Sequence, residues 1–207
     1  PFSIDLTPHV RPGETATVTV RAFDIAEAST LVGKQVPRWY TYSSGIWQSV
    51  WIEGRAPTHL TAIRIEPQVE RQQATAKLKL RAVQAGPCAV RISSRDGMFE
   101  AFEARLDLRA GEQQVEFVLP VPAPRLWSPE TPHLYEIGVE LEPDAGGARD
   151  SVATYFGMRS VGRGTWNGTD YEYILLNGEP VYLRGALDQA FHPDGLHAYP
   201  SDDAIRS

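Results

Sequence analysis

The chain contains 207 residues, 42% of them hydrophobic and 22% charged, which is the balance of a folded globular protein and excludes a disordered tail. No stretch approaches the roughly 18 consecutive apolar residues of a membrane-spanning helix. The formal net charge of −6 argues against nucleic acid or an anionic membrane surface as the main partner, whereas a neutral ligand is compatible with it.

Cys88 is the single cysteine, so an intrachain disulfide and a thiolate metal cluster are both excluded. We predict that it is a small buried hydrophobic residue in a strand. A lone cysteine fits a bacterial cytoplasm and does not exclude a periplasm, so the compartment stays open between the two.

Residues 1–57 have the composition of one end of a β domain. Within them, residues 17–20 and 46–53 are predicted strands, joined by an irregular stretch rich in proline and polar residues. About three strands cannot close a hydrophobic core alone. We therefore expect this segment to belong to a domain that includes further sequence.

Seven short segments with period-two alternation follow, which predicts one buried and one solvated face for each strand. In the second segment, for example, Leu78 and Leu80 alternate with Lys77 and Lys79, and we expect Leu80 to face the core, as Val139 does in the sixth. The seven predicted strands are residues 60–66, 76–82, 88–94, 99–108, 113–119, 135–142 and 151–156. Seven such strands in about 100 residues are typical of an immunoglobulin-like sandwich.

Two local signals stand near the end of the chain. Asn177-Gly178 lies between predicted strands at residues 173–176 and 180–183, which is the strongest short signal for a hairpin. Ser201 is a predicted helix cap, because acidic residues that suit the positive end of a helix follow it directly.

Four stretches together resemble glycoside hydrolase family 2, which includes β-galactosidases, β-glucuronidases and β-mannosidases. They are SGIWQSVWIE at residues 44–53, LWSPETPHLY at 126–135, FGMRSV at 156–161 and LNGEPVYLRG at 176–185. The resemblance implies an all-β chain with three parts. Residues 1–57 would be the C-terminal part of a jelly-roll, sugar-binding-like domain, 58–157 the immunoglobulin-like β-sandwich, and 158–207 the first elements of a (β/α)8 TIM barrel.

The family's chemistry uses two glutamates on later barrel strands, an acid/base and a nucleophile, and retains configuration at the sugar. The resemblance places both beyond Ser207. None of Glu172, Glu179, Asp170 or Asp194 lies in a matching motif, so no catalytic residue is assigned. We expect a non-catalytic fragment of an enzyme that hydrolyses O-glycosidic bonds. Its expected partners are the β-glycoside substrate and the rest of the enzyme chain, without a cofactor; a homo-oligomer is left open.

The candidate substrate-binding residues are Asp188 and Gln189, which follow the first expected barrel strand, where active sites of this fold form. An aspartate and an amide can each hydrogen-bond sugar hydroxyls. The run Leu187-Asp188-Gln189-Ala190 departs from the Asn, Arg, His and Glu of familiar β-galactosidases, which argues against lactose-type specificity. Alternatively, Asp188 pairs with a neighbouring arginine and shapes the loop.

Three other groups of residues have a functional and a structural interpretation. A metal site could be built from His192, Asp194, His197 and Asp202, but their spacing matches no known site, and a solvated Pro-Asp-Gly turn is favoured. Sugar stacking could use Trp39, Tyr40, Tyr42, Trp47 and Trp51, although packing between domains is favoured. Asn167-Gly168-Thr169 is either a glycosylation sequon or a tight turn.

Two competing hypotheses remain. A free-standing carbohydrate-binding module would use the aromatic residues as a ligand platform, but it gives no role to the hairpin and helix after residue 170. A fibronectin-like structural domain would explain only the central 100 or so residues.

Overall fold

The computed structural model describes residues 2–23, 45–46, 48–144, 146–187, 192–195 and 198–206. The chain forms two compact units, one of Pro1–Ile52 with Ala186–Ser207 and the other of Glu53–Gly185. Within the described residues, no helix has the length and apolar character needed to cross a membrane.

The first unit contains little regular structure in its described part. Its elements are a 3-10 turn at Thr7–His9 and a short helix α1 at Asp202–Arg206. The amide of Ala204 donates to Ser201 Oγ at 3.2 Å, so the predicted helix cap is confirmed. The strands predicted at residues 17–20 and 46–53 are wrong for the residues described, where no strand forms and Val18, Val20 and Ile52 are exposed. No described segment pairs with them, and a strand without a partner is not stable.

The second unit contains the sandwich, and all seven predicted strands are confirmed. They are β1 (Thr58–Gln68), β2 (Gln73–Ala82), β3 (Gly86–Ser94), β4 (Phe102–Leu108), β5 (Gly111–Pro120), β6 (Tyr135–Pro143) and β7 (Asp150–Phe156). One sheet has the order β1-β2-β5 and the other β4-β3-β6-β7. In a constant-type immunoglobulin domain the fourth strand joins the first sheet. Here β4 pairs with β3 in the second sheet instead.

The core lies between these two sheets and is built mainly by inward side chains that alternate with outward ones along each strand. Leu78 and Leu80 of β2 and Val139 of β6 are all 0% exposed, so the predicted inward direction of Leu80 and Val139 is confirmed. Phe102 of β4 and Phe117 of β5 join the sheets at one side, with ring centroids 5.0 Å apart. Burial of this apolar surface is the main favourable contribution to folding of the unit.

A bulge in β1 was not predicted. Its pairing with β2 shifts between Leu60 and Ala62, so Thr61 is an extra residue. The shift reverses the alternation, because Leu60 is buried before the bulge whereas Ile63 and Ile65 pack against the core after it. The amide of Leu60 donates to Asp150 Oδ2 of β7 at 2.8 Å, which ties together the two sheets beside the bulge.

A small third sheet follows the sandwich in the same unit. It consists of β8 (Val161–Thr165), β9 (Glu172–Leu176) and β10 (Glu179–Pro180), in the order β10-β9-β8. Asn177 and Gly178 have φ values of 52° and 83°, which are typical of a type I′ turn and confirm the predicted hairpin. Beyond β10, residues 181–183 are not in the strand that was predicted there.

The alternation of β2 generates a prediction about stability. We expect Leu80→Ala to lower the free energy of unfolding by about 2 to 4 kcal/mol through lost burial and an unfilled cavity. The matched control is Lys79→Ala, because Lys79 is the exposed neighbour in the same strand. Urea denaturation followed by circular dichroism gives both values, and equal stability of the two variants would contradict the packing described.

Cys88 generates a second prediction. Its side chain is 1% exposed, and burial raises the pKa of the thiol, with the nearby acidic groups of Asp144 and Glu142 adding to the effect. Only the thiolate reacts readily with disulfide reagents. We expect the native chain to be labelled far more slowly than the urea-unfolded chain, as measured by thiolate release from an aromatic disulfide. Equal rates would show that Cys88 is accessible.

Candidate functional site

The predicted substrate-binding residues Asp188 and Gln189 lie outside the residues that the structure describes. The residues before them in the chain are described as far as Leu187. Tyr182 is 85% and Leu183 66% exposed. Arg184 is also exposed and forms no salt bridge with a described residue.

The group of candidate metal ligands forms a turn in its described part. Nδ1 of His192 accepts hydrogen bonds from the amides of Asp194, at 3.1 Å, and Gly195, at 3.4 Å. The His192 ring also lies against Tyr199, with centroids 5.4 Å apart. His197 is outside the described residues, and no metal-binding cluster is found among those described. The predicted turn at residues 193–195 is confirmed.

The remaining candidates are placed as follows. Of the five aromatic residues considered for sugar stacking, Trp51 alone is described, and its side chain is exposed outside any strand. Asn167-Gly168 forms the tight turn that was one of the two interpretations, with φ values of 49° and 72°. The turn is closed by Thr169, whose amide and hydroxyl both donate to the carbonyl of Trp166.

Several described residues from distant parts of the sequence converge where the sandwich meets the third sheet. We use the name junction for residues 125–127, 156–160 and Asn177. On its sandwich side, Tyr135 is fully buried, stacks on Phe156 at 5.2 Å and accepts a hydrogen bond from the amide of Arg125 at 2.8 Å. The corner before β6 is therefore anchored in the core.

Trp127 is the centre of the junction. Its amide donates to the carbonyl of Met158 at 2.8 Å, next to a parallel bridge between Leu126 and Met158. The guanidinium of Arg159 lies over the Trp127 ring, 4.7 Å from its centroid, which is a cation–π contact. Gly157 passes so close that a Cβ there would lie 3.1 Å from Trp127 Cβ. The backbone of Trp127 is thus held by Met158, its ring is covered by Arg159, and Gly157 fills the space beside its side chain.

Asn177 joins the hairpin to this centre. Its Oδ1 accepts from the amide of Ser160 at 3.0 Å, its Nδ2 donates to the carbonyl of Trp127 at 3.0 Å, and its own amide donates to the carbonyl of Ser160 at 2.9 Å. Sequence analysis identified Asn177 only as a turn residue. Neither partner is near it in the chain, so no local pattern could show this role.

A groove of about 310 Å³ opens beside the junction. It is lined by β1, β7 and the corner, and its lining residues are mostly apolar. Ile63 and Ile65 contribute from β1, Tyr155 and Phe156 from β7, and Arg159 supplies a positive charge at the lining. The groove lies within the unit Glu53–Gly185.

Comparison with known proteins matches the sandwich to an enzyme family. The sequence model of the family "Glycosyl hydrolases family 2" matches residues 58–159. A β-galactosidase of Vibrio vulnificus is 26% identical over 219 residues, which cover 100% of this chain and 20% of that protein. A putative β-glucuronidase of Formosa agariphila is 28% identical and covers 90% of the chain and 17% of that protein.

Solved structures agree with this match. The crystal structure of a β-D-mannosidase from Dictyoglomus thermophilum superposes with a TM-score of 0.56 at 26% identity, covering 69% of this chain and 19% of the mannosidase. The chain therefore spans about a fifth of the length of the curated relatives it matches.

The close approach at Gly157 generates a prediction. Trp127 cannot move away without breaking its contacts to Met158, Arg159 and Asn177. We therefore expect Gly157→Ala to lower the free energy of unfolding by about 1 to 2 kcal/mol, because the steric cost exceeds the stabilisation that alanine brings by reducing the conformational entropy of the unfolded chain. Gly162→Ala is the matched control, since nothing lies within 4 Å of a Cβ there. Urea denaturation followed by tryptophan fluorescence measures both, and a loss no larger for Gly157→Ala than for the control would contradict the packing.

Proposed function

The chain belongs to glycosyl hydrolases family 2, and on that basis we propose that the protein that carries it is a retaining β-glycosidase acting on O-glycosidic bonds in carbohydrates. The observation that carries the proposal is the match of the family to residues 58–159, which coincide with the seven-stranded sandwich. Relatives named as β-galactosidase and putative β-glucuronidase extend the similarity over 90% or more of the chain.

Within that enzyme, the chain supplies framework and substrate positioning. We assign residues 1–57 to the end of a jelly-roll domain, 58–157 to the immunoglobulin-like sandwich and 158–207 to the start of the catalytic barrel. Asp188 and Gln189 then contribute hydrogen bonds to sugar hydroxyls at the end of the first barrel strand. The relatives named above act on different sugars, so the proposal extends to β-glycosides as a class.

The chain itself carries no catalytic carboxylate in this proposal. Of the acidic residues near the hairpin, Glu172 pairs with Arg163 at 3.3 Å on the surface of the third sheet, and Glu179 is exposed in β10. Both side chains are exposed, whereas the acid of a glycosidase is enclosed by apolar surroundings.

The rest of the enzyme chain is the proposed partner of the third sheet. Ile174, Tyr182 and Leu183 are exposed apolar side chains in and after the hairpin. Apolar side chains left exposed together on a small sheet are unfavourable in water and mark a surface that another part of a protein covers. We propose that neighbouring elements of the barrel cover these side chains in the intact enzyme.

Hydrolysis of an aryl β-glycoside tests the proposal. We expect no turnover by the purified chain, because acid assistance and nucleophilic attack both require glutamates that it lacks. The longer protein that carries the chain should hydrolyse at least one of the galactoside, glucuronide and mannoside substrates, as measured by release of the nitrophenol. Turnover by the chain alone that Asp188→Asn abolishes would contradict the assignment of a non-catalytic role. Failure of the longer protein on a full panel of β-glycosides would contradict the function.

A further inference from the structure

Asn177 uses both ends of its carboxamide to connect three segments of the chain. Ser160 N–H can only donate and the Trp127 carbonyl can only accept, so the two partners fix which end of the amide is oxygen and which is nitrogen. With the backbone bond to the Ser160 carbonyl, the turn makes three hydrogen bonds, two with Ser160, the residue directly before β8, and one with Trp127 on the sandwich side of the junction.

The turn alone does not require this residue. At a φ of 52°, glycine or aspartate would be accommodated as well as asparagine, and both are common at this position of a type I′ turn. Glycine would leave Ser160 N–H and the Trp127 carbonyl without their partner. Aspartate would place a carboxylate oxygen against the Trp127 carbonyl, where a donor is needed. Asparagine is the one of these three residues that satisfies the backbone and both partners.

The contact point on the sandwich is itself rigid. Trp127 is bound through its amide to Met158, whose side chain is fully buried in the core, and its ring is covered by Arg159. A hydrogen bond to the Trp127 carbonyl therefore fixes the hairpin to the core and not to a mobile loop.

From this arrangement we infer that Asn177 is a positioning residue that sets the direction of the hairpin relative to the sandwich, and thereby the direction of residues 181–185, which precede Asp188 and Gln189 in the sequence. The second half of the inference rests on the proposed function, since it concerns substrate contacts. The first half, the coupling of the hairpin to the sandwich, depends only on the hydrogen bonds described.

Hydrogen exchange on the chain tests the coupling. We expect Asn177→Asp and Asn177→Gly to speed exchange of the β8 and β9 amides roughly tenfold while β3 and β6 keep their rates, because the lost bonds hold the third sheet and not the core. Asn167→Asp is the matched control. Asn167 has a φ of 49° and is also followed by glycine, but its turn is closed by Thr169. Unchanged exchange in both Asn177 variants would overturn the coupling.

Kinetics of the longer protein test the positioning. We expect Asn177→Asp to raise KM for an aryl β-glycoside roughly tenfold with kcat changed less, since displaced substrate contacts remove binding shared by ground and transition states. Simple loss of folded enzyme would lower the apparent kcat and leave KM unchanged. Faster exchange together with an unchanged KM would overturn the positioning role. If the wild-type longer protein hydrolyses no β-glycoside, the proposed function fails and the exchange rates decide the coupling by themselves.

Discussion

The alternating burial of β2 and β6 is the constraint on which the rest of the structure depends. In β2, the side chains from Ala74 to Ala82 at even positions are buried almost completely, and in β6 those from Tyr135 to Leu141 at odd positions are. A slip of one residue would place Lys77 or Lys79 in the core, which costs far more than the sheet hydrogen bonds could offset. The register of both sheets is therefore fixed, and with it the position of the corner that precedes β6.

From that fixed corner the order of the junction follows step by step. Tyr135 begins β6 inside the core and holds the segment before it through the amide of Arg125. Trp127 then packs against the residues that follow β7. Gly157 has no side chain to clash with the indole, and the carbonyl of Met158 accepts a hydrogen bond from the Trp127 amide. The third sheet is attached at the same residue, through the hydrogen bond from Asn177 to the Trp127 carbonyl.

Local pattern sufficed for the sandwich because each strand carries its own period of two. Local pattern did not suffice where the structure of a residue depends on partners far away in the sequence. Residues 161–165 contain two glycines and little apolar character, and they become β8 only because β9 pairs with them. Thr61 has no local sign of a bulge, which the inward packing of Ile63 and Ile65 requires. The partners of Asn177 lie 17 and 50 residues away, so its role could not be seen in the sequence of the turn. Asp188 and Gln189 stay a prediction.

The bulge at Thr61 also bears on the behaviour of the chain at high concentration. β1 is an outer strand of its sheet, and an outer strand with regularly spaced free amides and carbonyls is a template on which another molecule can add a strand. The bulge interrupts that spacing, Pro67 removes one donor, and Asp150 occupies the amide of Leu60. Aggregation by strand addition at this edge is thereby disfavoured once the sandwich has folded.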